Sequence, residues 1–181
     1  DGDWLATASV DFTVRVRDAQ TGETLHTLTD FGSAVHGVAW APDSRRLAAG
    51  GFDGPARVVD IRTDRAELAS TRGGVTTASG VIGVAFSPDG GQLLTGDDRI
   101  TAATLWDVGP GGDAEVANLP GNPNTWVHPA YTADGHLVIP TGGGSVTVWD
   151  TSTATEQTRM SYPEPSAVAA DWADDIASIA I

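Results

Sequence analysis

The stretch "GSVTVWDTST" (Gly144–Thr153) alternates Val and Thr, ends in Trp149-Asp150 and then collapses into small polar residues. Its apolar and β-branched residues at nearly every position demand a strand covered on both faces, as in a sheet packed between two others. The aspartate then stops the strand. Its short carboxylate can accept hydrogen bonds from backbone N–H groups just downstream, which makes an Asx-turn. The same pattern recurs in "TAATLWDVGP", "PARVVDIRTD" and "TVRVRDAQTG".

The aspartates closing these strands are Asp18, Asp60, Asp107 and Asp150, separated by 42, 47 and 43 residues. Such spacings fall within the roughly 20–50-residue periods of repeat architectures. A second landmark keeps the same register: "APDSRRLAAGG", "SPDGGQLLTGD" and "TADGHLVIPTG" place Asp43, Asp89 and Asp134 in turns that precede Leu47, Leu93 and Leu137. Each unit therefore reads as short strands joined by tight turns. In the best-formed one, "VIGVAFS", "QLLTG", "TAATLWD" and "AEVANL" are four strands, and Pro88-Asp89-Gly90-Gly91 is the first turn. Pro88 fixes its φ for a turn, and Gly90 accepts the positive φ that the reversal needs.

Composition agrees with this pattern and excludes several classes. The chain has 181 residues, is 40% hydrophobic and contains 22 Gly and 10 Pro, which suits strands and turns better than helices. Its formal net charge of -14 repels phosphate backbones and anionic lipid, so nucleic acid is not an expected partner. All ten basic residues are Arg, and Cys is absent, which removes disulfides, thiolate nucleophiles and Cys-based zinc sites. No apolar run in this segment approaches the ~20 residues of a spanning helix, and a cytoplasmic location is the working expectation.

These residues resemble the WD-repeat β-propeller family, in a bacterial-type form with degenerate signatures. Trp106-Asp107 and Trp149-Asp150 carry the name-giving dipeptide, whereas Arg17-Asp18 and Val59-Asp60 depart from it. The family's Gly-His pair is replaced by Asp30-Phe31 and Gly121-Asn122, so its buried His–Asp network is not expected here; Asp11, Asp53 and Asp98 then read as ordinary turn residues. The resemblance implies an all-β fold: a β-propeller of four-stranded antiparallel blades, with about four blades present in an incomplete ring. Blade units are expected at about 1–30, 31–71, 72–120 and 121–161, with a partial unit at 162–181 and about sixteen strands in all. Residues 166–181 read as two further strands or, with Ser166 as N-cap and Val168, Trp172, Ile176 and Ile179 at helical spacing, as a helix. Open blade edges invite pairing, and homo-oligomerisation through them is a further expectation.

A search for chemistry finds little. His26, His36, His128 and His136 are scattered, and a zinc site is not expected. Asp97-Asp98 and Asp174-Asp175 are adjacent carboxylates whose side chains diverge on a strand or turn, unlike a general acid–base pair. There is no G-x-S-x-G elbow, and "GPGGDA" and "TGGGSV" lack the Lys-Ser or helix start of a phosphate cradle. Trp106 and Trp149 are packing residues of the repeat, Trp40 and Trp172 fall on innermost strands, and Trp4 lies beside a turn.

No enzyme, cofactor or metal is therefore expected. The resemblance implies a scaffold whose loops on one face bind a protein or peptide, one with basic patches around an apolar anchor. The candidate contact residues are Phe31, Phe52, Arg72, Arg99, Asn122 and Trp126. The alternative is a sensor or enzyme propeller that binds a small molecule or metal in its central channel, which needs convergent polar groups at the channel mouth.

Overall fold

The structure, a computed structural model, describes residues 2–29, 31–52, 56–61, 68–69, 80–97, 103–109, 114–120, 128–142 and 145–161. Among these there is no helix, and fifteen strands form four antiparallel sheets in chain order. The first sheet holds β1 (Trp4–Ala8), β2 (Val14–Asp18) and β3 (Thr24–Leu28). The second holds β4 (Val35–Trp40), β5 (Arg46–Gly51), β6 (Arg57–Asp60) and β7 (Leu68–Ala69). The third runs β8 (Val81–Phe86), β9 (Gln92–Asp97), β10 (Ala103–Asp107) and β11 (Ala114–Leu119). In the fourth are β12 (Ala130–Tyr131), β13 (Leu137–Gly142), β14 (Ser145–Asp150) and β15 (Thr155–Ser161).

Every sheet is a simple meander in which sequential strands are hydrogen-bonded neighbours. The sequence favours this because the described first-to-second strand turns are closed locally. Asp43 accepts from the backbone N–H of Arg45 and Arg46 at 2.8 and 3.0 Å, and Asp89 from that of Gly91 at 2.9 Å. Gly90 and Gly135 sit at φ of +72° and +88°, the left-handed conformation that glycine adopts without a steric penalty.

Third strands end as their carboxylates dictate. Asp18 accepts from the N–H of Gln20 and Thr21 at 2.9 and 2.7 Å, and Asp150 from those of Ser152 and Thr153 at 2.8 and 3.2 Å. Asp107 accepts from Gly109 at 2.9 Å. Asp60 also serves a tertiary role, taking the Nε–H of Arg45 at 2.6 Å across the sheet.

The core lies between sheets rather than within one. Val14, Val16, Leu47, Val59 and Ile61 pack the first sheet on the second. Ala48, Val58, Val81, Phe86, Leu93 and Trp106 pack the second on the third, and Leu94, Leu105, Leu119, Leu137 and Trp149 the third on the fourth. Trp106 and Trp149 are buried as the repeat requires, and Trp4 belongs to a strand, its ring 5.9 Å from that of Trp40. Strands β4 and β8 approach very closely: a Cβ on Gly37 would stand 2.7 Å from the Ile82 carbonyl oxygen, so only glycine fits. Residues 166–181, for which both a strand and a helix reading were open, lie outside the described residues.

Candidate functional site

The two ends of the sheets differ chemically. One end carries the first-to-second and third-to-fourth strand turns, and these hold Asp18, Asp43, Asp60, Asp89, Asp107, Asp134 and Asp150. Most of these carboxylates are committed to turns. Backbone and hydroxyl donors hold Asp18, Asp89, Asp134 and Asp150 below the usual carboxylate range, led by the Thr21 N–H, the Ser87 hydroxyl, the Thr132 hydroxyl and the Ser152 hydroxyl respectively.

At the opposite end, the described residues place aromatic and apolar groups on a rim formed by the connected loops of the first two sheets. The turn of residues 9–13 is joined to the second sheet where the Val35 N–H donates to the Ser9 carbonyl at 3.1 Å. The Phe52 N–H in turn donates to the Ala34 carbonyl at 3.1 Å, and the Phe52 ring meets His36 edge-on at 5.1 Å between centroids. His128, just before β12, is half-buried; burial pushes its imidazole below the ordinary value, and the nearby His36 adds to the effect.

Of the candidate contact residues, Phe52 lies on this rim, half-buried. Phe31 does not stand at a loop tip. It is only 9% exposed, packed in the core between the first two sheets, with the Arg57 guanidinium 5.4 Å above its ring. An apolar ring on a short connection between two packed sheets gains more by turning inward. Arg72, Arg99, Asn122 and Trp126 lie outside the described residues, as do Asp53 and Asp98.

Sequence reasoning missed Val10 and Phe12, which are 74% and 47% exposed at the tip of the first turn. Asp11 between them is an ordinary turn residue, as expected. Its carboxylate accepts from the Thr13 N–H and hydroxyl at 3.1 and 2.6 Å and from Arg15 at 2.8 Å. The Thr13 hydroxyl foremost, then Arg15 and Ser9, hold it well below the carboxylate range. Among the described residues, no three His, Cys, Asp or Glu side chains gather as metal ligands would.

Antiparallel meanders of up to four strands, stacked face to face with the core between them, define the class: these are propeller blades. Comparison with known proteins agrees. The chain is similar to the β-propeller domain of Myceliophteria thermophila Cps50 (Swd1), with a TM-score of 0.77 and 20% identity over 90% of this chain and 53% of that one. That likeness concerns the fold alone. The WD40 family profile (WD domain, G-beta repeat) matches residues 22–54 and 69–101.

Two curated relatives carry the resemblance further. The serine-threonine kinase receptor-associated protein of Gallus gallus is 30% identical over 146 residues, 81% of this chain and 39% of that protein. Coronin-7 of Mus musculus is 31% identical over 154 residues, 81% of this chain but 16% of that protein. The chain thus spans well under half the length of either. The WD40 matches, these relatives and the propeller neighbour together support a WD-repeat β-propeller family. These relatives are vertebrate proteins and lend no support to the expected bacterial origin.

Proposed function

We propose that this chain is a non-catalytic interaction scaffold, binding a protein or peptide through the loop rim that contains Phe52. The observation that carries the reading is that, among the described residues, the end opposite the turns of Asp18, Asp43, Asp89 and Asp150 displays Val10, Phe12 and Phe52 on loops of the first two sheets tied together by backbone hydrogen bonds. Rigid loops with partly exposed aromatics bind at low entropic cost. WD-repeat relatives with names such as receptor-associated protein support the same role. The net charge of -14 favours a partner with basic patches, steered by the acidic body toward the rim. By sequence alone, Arg72, Arg99, Asn122 and Trp126 remain proposed contacts beside Phe52.

Affinity capture with quantitative mass spectrometry tests this with three baits: the wild-type chain, Phe52→Ser on the rim, and Thr153→Arg on the aspartate-rich end. Proteins retained by the first and third but lost from the second support the rim. Partners lost only with Thr153→Arg would move the binding surface to the other end.

A further inference from the structure

Among the described residues, three that are not glycine adopt a left-handed backbone: Ser44 (φ +54°), Ala154 (φ +53°) and Phe12 (φ +69°). Ser44 has a short polar side chain and Ala154 the smallest one, so their turns tolerate the conformation. Phe12 is a bulky aromatic, for which this region is a genuine outlier. In the next repeat, "FDGPARV" places Gly54 after Asp53 where "VDFTVRV" places Phe12 after Asp11. Glycine would be the unstrained choice at this turn.

Burial does not offset the strain, since the ring is nearly half exposed and Val10, two residues away, is exposed further still. The surrounding turn is nonetheless fixed. Ser9 N–H donates to Thr13 C=O at 3.1 Å, Phe12 N–H to Ser9 C=O at 3.2 Å and Asp11 N–H to Ser9 Oγ at 3.2 Å, while the Asp11 carboxylate clamps Thr13 and Arg15. An over-determined turn that holds an aromatic in a costly conformation toward solvent is the mark of a binding residue rather than a packing one.

We propose that Val10 and Phe12 form a preorganised apolar anchor for an extended basic peptide segment of a partner protein. Apolar side chains of the peptide close over the Phe12 ring and Val10, and its Arg or Lys side chains answer the chain's net charge of -14. This rests on the scaffold reading and narrows it, since the turn is hydrogen-bonded through Val35 to the rim that holds Phe52.

The probe is a phage-displayed library of random peptides selected on the wild-type chain. Selected peptides are then measured against Phe12→Gly, Val10→Ser, Phe52→Ser and Leu25→Ser, the last altering an exposed apolar residue elsewhere on the first sheet. The expected result is enrichment of peptides that pair Arg or Lys with large apolar residues. Their binding should weaken about tenfold or more on Phe12→Gly and Val10→Ser, and stay unchanged on Leu25→Ser.

Phe12→Gly should also melt at or above the wild-type temperature, because the strain is relieved. If it does not fold, Val10→Ser gives the reading by itself. Peptides that bind Phe12→Gly and Val10→Ser as tightly as wild type, but lose Phe52→Ser, overturn this anchor and leave the scaffold reading standing. Equal losses on Leu25→Ser show general apolar adhesion and overturn the anchor. Failure to enrich any peptide on the wild-type chain overturns both.

Discussion

The indole Nε1–H of Trp106 donates to the Thr95 hydroxyl at 3.1 Å inside the third blade, where both residues are buried. The matching indole of Trp149 in the fourth blade is buried with no partner for its Nε1–H among the described residues. Leu93 pairs with Trp106 and Leu137 with Trp149, and by sequence the position two residues further along is Thr in the third blade and Ile in the fourth. Trp106→Phe and Trp149→Phe remove similar ring volume, but only the first breaks a hydrogen bond. Trp106→Phe should therefore cost about 1 kcal/mol more, read from paired urea denaturation curves.

Tyr131 gives a prediction of opposite sign. Its hydroxyl is buried without a hydrogen-bond partner among the described residues, and burial, reinforced by the Asp89 carboxylate, pushes the phenol well above its ordinary value. The group is desolvated without compensation in either direction. Tyr131→Phe keeps the ring against the apolar cluster between the third and fourth blades and deletes the orphan. It should leave stability unchanged or raise it by about 1 kcal/mol, measured as a shift in denaturation midpoint. A loss of that size would mean that the hydroxyl is bonded.

Arg46 staples two blades. Its Nε–H donates to Asp43 at 2.8 Å within its own turn, while its two terminal nitrogens reach the Gly90 carbonyl at 2.7 Å and the Val108 carbonyl at 3.1 Å in the next blade. The guanidinium also lies 5.5 Å from the Phe86 ring centroid. A lysine ammonium is a point donor on a flexible stem and cannot span these acceptors together. Arg46→Lys should cost about 2 kcal/mol, with faster hydrogen exchange in the 87–91 turn as the local readout.

Which features were legible depends on how far their causes reach along the chain. The hairpin at Pro88-Asp89-Gly90 and the stops at Asp18 and Asp150 were readable because each carboxylate finds its donors within three residues. The inward burial of Trp106 and Trp149 followed from repetition. Phe31 was misread because its direction is set by the packing of two sheets and by Arg57, which is distant in sequence. Loops on one face were expected, and the Phe52–Ala34 hydrogen bond only extends the β4–β5 hairpin, but the Val35–Ser9 hydrogen bond that ties the first turn to the second sheet joins different sheets and has no local signal. Phe12 was passed over because a left-handed φ is a property of the folded turn, not of the letter Phe.

The last prediction concerns acid. Burial, with the neighbouring His36 second, lowers the native affinity of His128 for a proton below that of the unfolded chain, whose value is 6.5. Between the two values the unfolded state binds more protons, so stability rises with pH there. His128 therefore contributes stability that is fully present above about pH 6.5 and is lost as pH falls toward its native value. The turn carboxylates act lower down. Asp18, Asp89, Asp134 and Asp150 are all depressed in the native state, so their contributions persist above about pH 4 and are lost only as pH falls through the native values. Urea melts should show a first decline that begins as pH falls below about 7 and a second below about pH 4. His128→Gln, which cannot protonate, should flatten the first decline and leave the second in place. An unchanged first decline in that variant would assign it to another histidine.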